Sequence, residues 1–276
     1  MSRCTIIIPV HNRRETTLAC LAHLRTIGDL GQFSVLVVDD GSSDGTTEAI
    51  AAKFPEVDVL EGDGNLWWTG ATALGMQRAI ASGAAAVCWL NDDCWPAPGT
   101  LSALLSAALD GPPKIVAPTC VQAGTNERVP NGFVGRSRVS AGETESVVAE
   151  GLSGFCVMVP RAVCDRIGFP DSRDFPHYFG DNAYTLAASR AGFECIVLGN
   201  VRAELVAFKS PPGLSITGES WRTNFQREFV SFKSPRRLRT LFAYQRMKYG
   251  MIFGTLLAGI RTLGWLTRFA WKSLQS

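Results

Sequence analysis

Asp92 and Asp93 stand side by side in VCWLNDDCWPAPG (Val87–Gly99), at the end of an apolar run. Two adjacent carboxylates at a strand end repel each other and lose hydration unless a cation is close. A divalent metal answers both costs. Mg2+ or Mn2+ prefers oxygen ligands and is commonly held by one or two carboxylates plus substrate phosphates. A solvated Asp-rich turn is the plainer reading, and Trp89 and Trp95 on either side argue against it. A second cluster is VVDDGSSDG, where Asp39 and Asp40 close another apolar run and Gly41 opens a tight turn. An ionised Asp39 can accept the ring N–H of a pyrimidine or a ribose hydroxyl, or it can serve its own Asx turn. The third carboxylate is Asp181 in FPHYFGDNAY, at an expected helix start. There it is either a helix cap or a general base in a cleft. Trp67 and Trp68, in GNLWWTGATALGMQRAI, are either core or a flat surface for a sugar or base.

The elements that must position these groups alternate along the chain. CTIIIPV (Cys4–Val10) and FSVLVVDD (Phe33–Asp40) are β-branched runs suited to strands covered on both faces. Between them, Leu18, Leu21, Ala22 and Leu24 give a helix over 15–27, which Gly28 ends. A helix capped by Asp44 runs to Phe54, followed by a strand over 57–62, a helix over 69–82 and a strand over 85–90. A helix after Pro98 and the strand KIVAPTCV (Lys114–Val121) continue the pattern. This alternation predicts a doubly wound, mostly parallel α/β sheet, in which ligands gather beyond the carboxyl ends of the strands. Residues 122–150 break the rhythm and read as a hairpin or mobile loop. Strands over 154–160 and 193–199 follow, with helices over 161–167 and 180–192.

The 276 residues carry 46% apolar and 19% charged side chains, which excludes a disordered chain. The net charge of +2 conceals an asymmetry. Residues 1–208 hold 15 Lys and Arg against 23 Asp and Glu; residues 209–276 hold 12 against 2. The chain therefore divides into a body, 1–208, and a basic, aromatic helical extension, 209–276. The longest uncharged run of the extension is too short to span a bilayer, which takes roughly 20 residues. An in-plane amphipathic helix pair over 240–276, touching the inner face of the cytoplasmic membrane, fits its composition, as does packing on the protein or a homodimer contact. Nucleic acid is not expected, because no recognition module is present. The eight cysteines sit mostly in apolar runs without a CxxC pair, so free buried thiols and a cytoplasmic location are expected.

Five segments in order resemble family 2 glycosyltransferases with the GT-A fold. They are IIIPVHNRRETTLACLAHL, VVDDGSSDGTTEAI, GNLWWTGATALGMQRAI, WLNDDCWPAPGTL and the stretch from GFCVMVP to CIVLGN. Within that family the chain is most similar to bacterial rhamnosyl- and galactofuranosyltransferase-like enzymes of cell-surface polysaccharide assembly. The resemblance implies that Pro9, His11 and Asn12 border the nucleotide and that Asp39 contacts its base. It makes Asp93 the main metal ligand, with Asp92 on ribose or metal, and Asp181 the base that deprotonates the acceptor. Relatives often carry a further acidic residue where Ala183 stands. Some use a His after the last strand, and AELVAFKS contains none.

The implied activity is metal-dependent, inverting transfer of a sugar from a UDP or dTDP donor to a hydroxyl of a glycan or lipid-linked acceptor. Two other classes compete. A sugar nucleotidyltransferase would want a Gly- and Lys/Arg-rich loop after the first strand, of which HNRR is a faint echo. A catalytically impaired GT-A homologue acting as a binding protein would fit Ala183. A dinucleotide oxidoreductase is excluded, since PVHNRRET stands where G-x-G-x-x-G would be needed.

Overall fold

The computed structural model describes residues 4–207 and 213–274. Alternation begins with β1 (Cys4–Val10), α1 (Arg14–Thr26), the single turn α2 (Asp29–Gln32) and β2 (Ser34–Asp39). It continues through α3 (Thr46–Lys53), β3 (Asp58–Glu61), α4 (Trp67–Ala81) and β4 (Ala86–Leu90). The short β5 (Cys94–Pro96), α5 (Thr100–Leu109) and β6 (Ile115–Gln122) follow. β1, β2 and β3 pair in parallel, and β1 also pairs in parallel with β4. Strand order therefore reverses at β1, and the space beyond the carboxyl ends of β1 and β4 is the switch-point crevice of a doubly wound sheet.

Strict side-chain alternation builds the two layers. Ile6 and Ile8 of β1, with Cys88 and Leu90 of β4, face α1, α3 and α5. Ile7 and Trp89 face the opposite way, onto Met76, Ala79 and Ile80 of α4. Each such fully buried aliphatic side chain contributes about 1.5–3 kcal/mol of transfer free energy. α4 lies unusually close to the sheet. A Cβ at Gly75 would stand 2.6 Å from Ile7 Cγ2 and 3.0 Å from Val38 Cγ2. That closeness is what brings Trp67 and Trp68, at the start of α4, to the strand ends.

The stretch expected as a hairpin or loop is β-rich. β7 (Arg128–Val129) pairs with β6, while β8 (Gly132–Val134) and β9 (Ser137–Val139) form a hairpin. β10 (Ser146–Ala149) becomes the outer edge of the main sheet, and β11 (Gly151–Leu152) pairs with β8. β12 (Cys156–Pro160) inserts antiparallel between β4 and β6, so the sheet is mostly but not wholly parallel. After α6 (Arg161–Ile167) and α7 (Gly180–Arg190), β13 (Cys195–Leu205) outruns its expected end at 199. A register shift between Leu198 and Arg202 lets it go on to pair with β5.

α8 (Trp221–Phe229), α9 (Leu238–Tyr249) and α10 (Met251–Ser273) make up the C-terminal extension. Its expected boundary at 208/209 lies outside the described residues. Asp174 fastens the extension to the body: its carboxylate accepts from Arg239, and its backbone carbonyl accepts from Thr240 Oγ1 at 2.8 Å. Tyr244 of α9 packs on Phe175 and Ala183. Among the described residues no helix is long and apolar enough to cross a membrane. All eight cysteines are buried thiols, as expected.

Candidate active site

Three loops meet at the crevice, and hydrogen bonds between them fix its floor. Asn12, held at φ 51°, donates its backbone N–H to Ser42 Oγ, and its own Oδ1 accepts from Ser43 N at 2.8 Å. His11 Nδ1 lies 2.6 Å from the Asp40 carbonyl, which as an acceptor requires the proton on Nδ1. The Asp40 carboxylate accepts three backbone N–H groups, from Gly64, Leu66 and Trp67, at 2.8–3.1 Å. It thus takes up donors that would be unpaired at the start of α4, and it places Trp67. Asp44, expected to cap its own helix, bridges two: it accepts from Arg14 N and from Thr46 N and Oγ1.

Above this floor is a cavity of about 590 Å³. Pro9, His11, Asp40, Trp67, Trp68, Asp92 and Asp93 line it, so seven of the residues singled out from sequence converge on one hollow. Asn12, Asp39 and Gly41 are not in its lining; they build the turn beneath. Asp39 is 2% exposed, and its two oxygens accept from Ser42 N and Thr47 Oγ1. In this arrangement it serves its own Asx turn and does not present a carboxylate to a base. Gly41 lies backbone to backbone with Gly64, where a Cβ would come within 3.0 Å of the Gly64 nitrogen.

Asp181 is not in the lining either, but it is close behind it. Its Oδ2 accepts the Gly154 N–H at 2.6 Å and its Oδ1 the Asn182 N–H at 2.7 Å. A methyl group added at Gly154 would lie 2.7 Å from the Trp68 ring and 3.0 Å from Asp181 Cβ. Trp68 and Asp181 are therefore neighbours across Gly154. Trp68 is itself tethered, donating from Nε1 to Asn91 Oδ1 at 2.8 Å.

The sequence profile for glycosyl transferase family 2 matches residues 5–167, more than half of the chain. The chain belongs to glycosyl transferase family 2. Its fold is shared with GalNAc-T7, solved with UDP, GalNAc and Mn2+ (TM-score 0.61, 14% identity, 88% of this chain and 50% of that one). It is shared also with Staphylococcus aureus TarS residues 1–349 (0.57, 16%, 75% and 60%). A third is the mannosyltransferase PcManGT from Pyrobaculum calidifontis, solved with GDP-Man and Mn2+ (0.55, 17%, 94% and 73%). At these identities the likeness is one of fold, the GT-A fold. The chain spans half to three-fifths of the length of the first two. No curated protein matched it.

A protein cation already stands beside the carboxylate pair. The cation that relieves Asp92 and Asp93 is Arg13. Its Nε donates to Asp92 Oδ2 at 3.0 Å, and one terminal nitrogen reaches Asp92 Oδ1 and Asp93 Oδ2, each at 2.9 Å. Thr17 Oγ1 donates to Asp92 Oδ2 as well. The Asp92 side chain is only 4% exposed, and both its oxygens are committed. It anchors Arg13 at the wall of the cavity, with a donor on each oxygen. Burial pushes its pKa up, and Arg13 pulls against that rise. Asp93 is more exposed, and Arg13 engages one of its oxygens. Among the described residues no three His, Cys, Asp or Glu side chains are grouped to hold a metal ion. The carboxylates present fit a cation held by one or two of them, Asp93 being the more exposed, with its other ligands coming from diphosphate and water.

His177, Tyr178 and Lys233 also line the cavity and carry no signal in the sequence pattern. Lys233 comes from the C-terminal extension, with its ammonium 5.7 Å from the centre of the Trp67 ring. Trp67 meets Phe232 and His177 edge-on, at 5.5 and 5.8 Å. Burial, with Lys233 adding to it, pulls the His177 pKa down, which keeps its ring neutral. Trp67 and Phe179 hold positive φ, 57° and 68°, at the entrances to α4 and α7. Left-handed backbone at bulky residues is strained by about 1–3 kcal/mol each, and both lie beside the site. Ala183, the position that is often acidic in relatives, packs its methyl under Tyr244, 4% exposed, and faces no cleft.

Proposed function

We propose that this enzyme transfers a sugar, with inversion, from a nucleoside-diphosphate donor in the 590 Å³ cavity to an acceptor hydroxyl beside Asp181. The observation that carries the reading is the convergence of Asp93, Arg13, Trp67 and Lys233 on that cavity, with Asp181 one glycine away from its Trp68 wall. Trp67 offers a flat face to a base or sugar. Lys233 and the loops after β1 and β4 offer positive charge and amide groups to the diphosphate. A divalent cation at Asp93 would supply charge stabilisation for the departing nucleoside diphosphate.

The chain's own residues account for the proton and for the geometry. The acceptor oxygen bonds to the anomeric carbon as the carbon–oxygen bond to the diphosphate breaks. The bonding pair leaves with the diphosphate, and the acceptor proton passes to Asp181. Burial raises the Asp181 pKa against the pull of the Gly154 and Asn182 amides, which makes it a better proton acceptor than an exposed carboxylate. No enzyme nucleophile is needed, so the product is inverted. Arg13 is committed to Asp92 and Asp93, and Arg14 lies beside Glu15, so the loop after β1 lacks the free cations a triphosphate would need. That favours sugar transfer over nucleotidyl transfer.

The test is product release from a panel of UDP-, dTDP- and GDP-sugars with Mn2+. Nucleoside diphosphate is expected from at least one donor. Pyrophosphate release from a nucleoside triphosphate and a sugar 1-phosphate, with no diphosphate from any donor, would establish the nucleotidyltransferase instead.

A further inference from the structure

A second cavity, of about 460 Å³, is lined by Phe179 and Asn182, which flank Gly180 and Asp181 at the α7 start, and by the β8–β9 hairpin, α9 and α10. Its electrostatics are one-sided. Arg136, Arg138, Lys248 and Arg261 line it, and no carboxylate does. Lys248 is 9% exposed at its side chain, and the nearest carboxylate oxygen, on Glu150, is 3.9 Å away. Its ammonium donates to the Gly135 carbonyl at 2.6 Å. Burial pulls the Lys248 pKa down; Glu150 opposes that fall, and the positive charges of Arg138 and Arg190 add to it. Arg138 spends one N–H on Ser153 Oγ, at 3.1 Å, next to the Gly154 that holds Asp181. Four cations line this cavity against one ion-paired carboxylate, Glu150 on Lys248, and the buried Asp181 near Arg138, an excess of positive charge that a polyanion would relieve, and arginine forks suit phosphate oxygens.

The cavity also has an apolar lip. Leu257 and Ile260 of α10 line it, and Ile260 is 67% exposed. Ile252, Leu256, Ile260 and Leu263 follow one another at helical spacing and are 59–81% exposed. From residue 229 to 276 the chain carries nine Lys and Arg and no Asp or Glu. An exposed apolar stripe flanked only by positive charge matches an amphiphile whose polar end is anionic.

We propose that this cavity is the acceptor site and that the acceptor is a diphosphate-linked lipid. Its diphosphate sits among Arg136, Arg138, Lys248 and Arg261, and its hydrocarbon lies along the outer face of α10. This rests on the donor and base assignment above, since the hydroxyl to be glycosylated must reach Asp181. It adds the chemistry of the acceptor, which the donor cavity does not determine.

Calorimetry on the intact chain separates the two assignments, with farnesyl diphosphate and inorganic pyrophosphate as probes. Farnesyl diphosphate is expected to bind at least about tenfold more tightly than pyrophosphate, and Arg136→Ala/Arg261→Ala to weaken it at least about tenfold, roughly the loss of a charge-assisted contact. Leu256→Ser/Ile260→Ser is expected to reduce it to the pyrophosphate level. Lys233→Ala is expected to leave it unchanged while weakening nucleoside diphosphate. Equal affinity for the two probes, unchanged binding in the arginine double variant, or loss of binding in Lys233→Ala would each overturn the proposal. If no nucleoside diphosphate binds while farnesyl diphosphate does so through Arg136 and Arg261, the donor assignment fails and the anionic-lipid site stands.

Discussion

Asp181→Asn is expected to lower the rate of sugar transfer by about 10²–10⁴ while leaving donor affinity within about twofold of the parent, the usual range for removing a general base. The side chain keeps its shape, and its amide oxygen can still accept the Gly154 N–H. What it loses is the capacity to hold a proton. The pH profile carries a second signature. Burial raises the folded-state pKa of Asp181 above the ordinary 3.8, so the acid limb of kcat is expected at a higher pH than an exposed carboxylate would give. The base must be ionised, so activity falls as pH drops through that raised value. In Asp181→Asn this limb disappears along with most of the rate. Near-parental turnover with an intact acid limb would assign the proton transfer to another group.

Arg13→Ala is expected to cost stability as well as activity. It leaves the Asp92 carboxylate, almost wholly buried, with Thr17 as its remaining side-chain partner. An unpaired buried charge of this kind costs about 2–3 kcal/mol, at the lower end for buried pairs because Arg13 itself is 41% exposed. The pH dependence follows from linkage. Removing Arg13 removes a pull that lowers the Asp92 pKa, so that pKa rises further above its unfolded value. A carboxyl with a raised folded pKa binds more protons folded than unfolded. Its stability contribution is therefore present at low pH and lost as pH rises through the folded value. The denaturation midpoints of parent and Arg13→Ala should thus converge as pH is lowered from neutral, once Asp92 protonates. A gap that is constant or widens on acidification would mean that Asp92 does not feel Arg13 as the geometry requires. Donor binding should weaken in the same variant, because Asp93 loses the partner that orients it.

Much of this architecture was legible because it depends on local pattern. The β-branched runs of β1 and β2 and the apolar run of β4 bury both faces, and the helices between them fall within two residues of their expected ends. The adjacency of Asp92 and Asp93 correctly called for a cation. Its identity as Arg13 was hidden because the pairing spans about eighty residues, although Arg13 directly follows the His11 and Asn12 already singled out. The same holds for Lys233, which reaches the site from the extension. No periodicity within that segment states which surface it covers. Asp39 went the other way. Its type and position fit a base contact, but Ser42 and Thr47 satisfy both oxygens within the turn. Of the β-structure over 128–152 the sequence indicates only a hairpin or loop, because its strands are two to four residues long and β7 and β10 owe their order to β6 and β13.

The central claim is that Asp93 and the residues around it grip a nucleoside diphosphate through a cation. Calorimetric titration of UDP, dTDP and GDP into the intact chain, with and without Mn2+, against parent and Asp93→Ala, tests it most directly. At least one diphosphate should bind the parent only when Mn2+ is present and should lose that dependence in Asp93→Ala. Identical affinities in parent and variant, or no Mn2+-dependent binding of any of the three, would contradict the account.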